Sequence, residues 1–156
     1  MGIQARNPAE SGDTGADESA DVAPLLTEID HVAIAVHDLG AAIDYYRETF
    51  GAVVDHREVV ESDGVEEALL KVAESYIQLL TPTRDDSPVA KYLERKGEGL
   101  HHVGYRVSDC GAALDAVKAQ GGKVIDEQPR PGSRGTTVAF VHPKGAFGTL
   151  IELVQE

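Results

Sequence analysis

Two histidines and two side chains with oxygen donors sit at matching points of the chain. His31 and His102 stand in alternating apolar runs, and Gln78 and Glu152 stand in later ones. Imidazole nitrogen combined with carboxylate and amide oxygen suits a borderline divalent cation such as Co2+, Mn2+, Ni2+, Zn2+ or Fe2+. An ion held by four such groups keeps open positions for the oxygens of a substrate. The stretch "GEGLHHVGYRVSD" offers a further histidine, His101, directly before His102. Neighbouring strand residues point to opposite faces, so only one of this pair is expected to serve the site.

A repeat selects among them. "IDHVAIAVHDLGAAIDYYRETFGAVV" (29–54) aligns without a gap on "LHHVGYRVSDCGAALDAVKAQGGKVI" (100–125). His31 meets His102, Asp38 meets Asp109, Gly40 meets Gly111 and Gly51 meets Gly122; His101 meets Asp30 and is expected on the other face of its strand. After a short insertion around "HPKGAFG", "YIQLL" lies over "LIELV" and Gln78 meets Glu152. Agreement of this extent marks a tandem duplication.

Each half reads as a strand, a helix and three strands. The alternating runs 29–36 and 100–107 end at Asp38 and Asp109, where a helix N-cap is wanted. Amphipathic helices follow and stop at Gly51 and Gly121–Gly122. "AVVDHREVV", "EALLKVA" and "SYIQLLTP" complete the first half; "KVIDEQ", "TTVAFVHP" and "TLIELVQ" complete the second. A short helix over 87–96 is expected between them. The fold class is therefore α+β: a single domain over 25–156 with module 1 at about 27–82, a linker helix at about 83–98 and module 2 at about 99–156.

Composition narrows the function. A net charge of −13 argues against a nucleic-acid partner, and no stretch is apolar enough to cross a membrane. The single cysteine, Cys110, permits no intramolecular disulfide and fits a reducing interior. With no basic-then-apolar start, a cytoplasmic location is expected. Residues 1–24, rich in Ala, Gly, Ser, Asp and Glu, read as a disordered tail outside the fold.

The duplicated module with ligands in its first and last strands resembles the vicinal oxygen chelate superfamily, of glyoxalase-like fold. Within it the chain is most similar to the methylmalonyl-CoA epimerases, on "IDHVAIAVHDLGAAIDYYRETFG", "GEGLHHVGYRV" and "VAFVHPKGAFGTLIELVQ". The resemblance implies a curved mixed sheet around a metal site. It implies His31, Gln78, His102 and Glu152 as ligands of a divalent ion, Co2+ foremost, and methylmalonyl-CoA as substrate. Glyoxalases of this fold usually carry glutamate where Gln78 stands. Extradiol dioxygenases need only two histidines and one carboxylate, and drug-sequestering relatives bind without metal. Gln78 thus favours the epimerase over a glyoxalase I-type lyase or a dioxygenase, and the intact set of four counts against a metal-free binding module.

The implied chemistry is removal of the C2 hydrogen, held between a thioester and a carboxylate, to give an enolate that is reprotonated on the opposite face. The resemblance makes Glu152 one acid–base group and places the other on the strand after "SDG", in "GVEEALL". Alignment on Gly64–Val65 favours Glu67 over Glu66, and alternation sets the two on opposite faces. Arg130, Arg134 and Lys144 are candidates to meet an anionic CoA moiety, with a solvated basic face the favoured reading, and His142 reads as part of a structural turn. Analogy with other small duplicated modules points to a homodimer.

Overall fold

Both helix starts follow from their aspartates. The Asp38 carboxylate accepts the Ala41 N–H at 2.9 Å, and Asp109 accepts that of Ala112 at 2.9 Å. These caps open α1 (Leu39–Phe50) and α3 (Cys110–Ala119). Gly51 ends α1 in the left-handed conformation at φ 67°, and Gly121 takes φ 75° just after α3. The linker helix α2 (Pro88–Lys96) is capped by the Ser87 hydroxyl, with proline in its first turn. The computed structural model describes residues 23–156. The tail expected over 1–24 lies outside the described residues except for its last two positions.

Module 1 adds β1 (Leu26–Ala35), β2 (Val54–Val60), β3 (Val65–Val72) and β4 (Ser75–Pro82). Module 2 adds β5 (Gly99–Val107), β6 (Arg130–Pro131), β7 (Thr137–Val141) and β8 (Ile151–Gln155). All eight form one sheet in the order β2-β3-β4-β1-β5-β8-β7-β6. β1 runs parallel to β4, and its counterpart β5 runs parallel to β8. The modules join where β1 and β5 pair antiparallel. The result is the glyoxalase-like fold, a curled mixed sheet with three helices.

Alternation divides each strand between two faces. Ala68, Leu70 and Leu79 pack with Leu39 of α1, and Ala139, Val141 and Leu153 pack with Cys110, Ala113 and Leu114 of α3. The opposite face carries Ala33, Ala35, Val65 and Leu80, over which α2 lays Val89 and Leu93. Glu67, Gln78 and Glu152 fall in step with this inner face and line its cavity.

One expected strand is absent. "KVIDEQ" makes only a single bridge, Val124 to Val141, and β6 is the two-residue Arg130–Pro131. Prolines at 129 and 131 have no N–H for a ladder. Asp126 instead turns the segment by accepting the Phe140 N–H at 2.8 Å.

Candidate metal and acid–base site

Register brings the repeat-related side chains together. Gln78 pairs with Ala33 of β1, and Glu152 pairs with Gly104, the residue of β5 that matches Ala33 in the repeat. The two oxygen donors therefore hold equivalent ladder positions in the two halves. His31 Nε2 lies 3.0 Å from His102 Nε2 and 3.1 Å from Glu152 Oε2, and His102 Nε2 lies 2.8 Å from the same oxygen. These three donor atoms converge on one point of the inner face, and His31 and His102 are almost wholly buried.

Beta-bulges supply the support behind the two histidines. In the β1–β5 ladder Ile29 pairs with Tyr105 and His31 with Gly104, so Asp30 is an extra residue on β1. Ala33 pairs with His102 and Ile34 with Leu100, so His101 is the extra residue on β5. Asp30 and His101 are repeat mates, and each bulge turns its residue onto the Nδ1 of the histidine that follows. Asp30 Oδ1 is 2.7 Å from His31 Nδ1, and His101 Nδ1 is 2.8 Å from His102 Nδ1. Strict alternation put His101 on the far face. The bulge overrides it, and His101 lines the cavity beside His102. With Nδ1–H of each histidine donated backward, both Nε2 atoms face the cavity.

Charge follows the same geometry. Burial pulls His31 down, but the carboxylates of Asp30 and Glu152 outweigh it and raise its pKa to about 9. His102 is lowered by burial, and His101 is lowered to about 4 by burial and by its contact with His102. A neutral His101 is what an acceptor for the His102 N–H requires. Glu152 is held well below the ordinary carboxylate range: burial opposes ionisation, but hydrogen bonds from His102 and His31 prevail.

Glu67 stands apart from this triangle. It is 2% exposed, and burial raises its pKa against the pull of Ser133 and Gln78. Gln78 Nε2 donates to Glu67 Oε2, which leaves Gln78 Oε1 buried without a partner. An unpaired buried carbonyl oxygen on the wall of the cavity that His102 and Glu152 also line is a donor a divalent cation can take, so these residues fit such an ion. Glu66 points away and pairs with Arg57 at 2.8 Å.

A model of the glyoxalase/bleomycin resistance protein/dioxygenase superfamily matches residues 30–140. The chain belongs to that superfamily. A relative within it is the ethylmalonyl-CoA/methylmalonyl-CoA epimerase of Cereibacter sphaeroides, 39% identical over 133 residues that make up 84% of this chain and 99% of the relative. Among solved structures, a Glu-to-Gln variant of the Streptomyces coelicolor methylmalonyl-CoA epimerase in complex with 2-nitronate-propionyl-CoA is 44% identical at a TM-score of 0.81. It covers 84% of this chain and 98% of its own. A methylmalonyl-CoA epimerase in complex with methylmalonyl-CoA and NH4+ is 45% identical at a TM-score of 0.81, covering 84% and 95%.

This glyoxalase-superfamily chain also uses residues that sequence reasoning passed over. Asp30 takes Arg106 at 2.8 Å and Arg134 at 3.1 Å; burial works against its charge, but the hydrogen bond from His31 and then the arginines hold its carboxylate low. Arg134 reaches it from a 3-10 turn (Ser133–Gly135), stacked 4.8 Å from the Tyr76 ring. Arg130 pairs with Asp63 and Asp126. Neither arginine belongs to the free basic face expected of them. The only sequence signal for Asp30 was its alignment with His101, which gains meaning once the bulges are seen. His142 caps the turn 143–145 by accepting the Lys144 N–H, a structural role.

Proposed function

We propose that the protein is a metal-dependent methylmalonyl-CoA epimerase, interconverting the (2R) and (2S) forms by proton removal at C2. The observation that carries this reading is a pair of carboxylates with opposed tendencies on separate walls of one cavity. Burial raises the Glu67 carboxyl and favours its protonated form, while hydrogen bonds from two histidines favour the ionised form of Glu152. Such a divergence marks an acid and a base within one site. Glu67 rises from β3 and Glu152 from β8, with β4, β1 and β5 between them in the curled sheet. A planar enolate lying between these walls exposes one face to each group.

His31, Gln78, His102 and Glu152 would hold the divalent ion, with Co2+ foremost and Mn2+, Ni2+, Zn2+ or Fe2+ as the other borderline ions this donor set takes. When bound, the ion supplies Lewis-acid stabilisation of negative charge on the thioester and carboxylate oxygens of the substrate. In one direction the ionised Glu152 takes the C2 proton as the C2–H electron pair moves into the thioester, and Glu67, in its protonated form, delivers a proton to the other face of C2. The reverse direction exchanges the two roles. The apolar walls, Val60, Leu80, Val138 and Phe140 among them, keep water from the intermediate. We further propose a cytoplasmic homodimer serving propionate metabolism. Among the described residues no helix is long and apolar enough to cross a membrane.

Proton NMR of methylmalonyl-CoA in deuterated water tests this reading. The expected result is exchange at C2 together with interconversion of the epimers, abolished by chelator and restored by Co2+. Absence of exchange in the ion-loaded protein, with turnover of a glutathione hemithioacetal instead, would transfer the chain to the lyases.

A further inference from the structure

A second group of metal-type donors shares Glu67 with the catalytic cavity. His56 and Glu58 alternate along β2, so both point to the inner face. Glu58 stands directly opposite Glu67 in the β2–β3 ladder. One donor atom from each of the three lies within 4.8 Å of the other two. His56 Nε2 is 2.8 Å from Glu58 Oε2, the same spacing that separates His102 Nε2 from Glu152 Oε2 in the first site. The His56 and Glu58 side chains are 34% and 37% exposed, so an ion can reach them from solvent.

Two features of this group call for positive charge. Carboxylates directly opposite one another on one face of a ladder repel. Glu58 is relieved, since hydrogen bonds from His56 and from the Arg134 N–H, the latter at 3.2 Å, hold its carboxyl below the ordinary range. Glu67 is not: no Lys or Arg side chain pairs with it among the described residues. Its Oε2 accepts from Gln78, and its Oε1 is left buried without a hydrogen bond in a residue 2% exposed. The same mark, an orphaned buried oxygen, is what Gln78 carries in the first site. A proton or a cation can meet the free Glu67 oxygen, and each excludes the other.

We propose that His56, Glu58 and Glu67 bind a second divalent cation, of the borderline class that takes imidazole and carboxylate together, and that this ion inhibits the enzyme. One imidazole nitrogen and two carboxylates bring the donors and the negative charge that such an ion neutralises. Glu67 delivers a proton only while it carries one. An ion on its carboxylate takes the place of that proton, which leaves to solvent, and also occupies the oxygen that would accept a proton in the reverse direction. The inhibition rests on the epimerase reading; the ion site does not.

Equilibrium dialysis of the full chain against graded free Co2+, after a chelator has removed all metal, reads the stoichiometry without substrate. The wild type is expected to take up about two ions per chain at saturation, and the double variant His56→Ala/Glu58→Gln about one. His142→Ala, which removes a histidine outside the cluster, should keep both. Epimerisation of methylmalonyl-CoA should rise as the first ion binds. It should fall by about a hundredfold as the second site fills, as when a general acid–base group is lost. In the double variant, activity should hold its one-ion level as Co2+ is raised further. Wild-type uptake of about one ion at saturation overturns the site, whatever the variants do. Two ions in the double variant, loss of the second ion in His142→Ala, or inhibition that persists in the double variant overturns it as well. Two ions in the wild type against one in the double variant uphold the site even if neither protein turns over methylmalonyl-CoA. A wild type that epimerises but binds one ion overturns the second site alone.

Discussion

His31 and His102 are each held by the residue before them, but the two supports differ in charge. Asp30 gives His31 an anionic acceptor, and His101 gives His102 a neutral one. Replacing His102 by Ala should strip the ion, because a ligand is lost. His101→Ala should instead weaken metal affinity by about tenfold to a hundredfold, as loss of an orienting partner does, with full occupancy recovered at high metal concentration. Metal analysis after dialysis against graded free Co2+ would distinguish them; equal stripping in the two variants would contradict the roles assigned here. The pKa of about 9 at His31 carries a second consequence. Below that pH the metal-free site holds a proton the ion must displace. Affinity should therefore climb by about tenfold per pH unit towards pH 9 and level off above it. Calorimetry in buffers of different ionisation enthalpy should record about one proton released per ion at pH 7.5. Because the folded value lies above the ordinary 6.5, the associated stability of the metal-free protein is fully present below pH 6.5. It fades as pH rises through about 9, and thermal unfolding across that range should show the decline.

At the scale of elements, the meeting of β1 and β5 decides whether the site exists. Gly104 faces His31 directly, and a Cβ there would overlap the imidazole ring. Gly104→Ala should displace His31 and reduce Co2+ affinity by at least about tenfold, comparable with losing an orienting partner, while circular dichroism of the sheet stays native. Undiminished affinity would mean the ring has another place to go. The capping aspartates are independent of this contact. Asp38→Ala should cost about 1 kcal/mol of stability in denaturant unfolding and leave turnover per folded molecule unchanged. The same elements show what the sequence discloses and what it hides. Caps, helix stops and the strands of module 1 are local signals, and the repeat transfers them to module 2. The Gln78–Glu152 equivalence was readable because the duplication preserves register. Bulges leave no such trace: one extra residue in a ladder is fixed by the partner strand, so the placing of Asp30 and His101 could not be read from alternation. The degraded strand at 123–128 was hidden for a related reason, since its apolar residues look strand-like while the Asp126 carboxylate takes the Phe140 N–H in place of a ladder acceptor.

For the whole molecule, duplication divides the work. Each half gives one histidine and one oxygen donor to the proposed ion, and each gives one carboxylate to the proposed proton transfers, Glu67 from module 1 and Glu152 from module 2. An ancestral module alone could offer only half of either set. The most direct test of this division is the stereochemical outcome with Glu67→Gln in deuterated water, read at C2 by NMR and by separation of the epimers. One epimer should still exchange its C2 hydrogen, because one face keeps its base, while inversion falls by at least about a hundredfold, as when a general acid–base group is missing. Metal content should stay at the wild-type level. Normal inversion in Glu67→Gln, or its loss in Glu66→Gln instead, would contradict the assignment of one acid–base group to each half of the molecule.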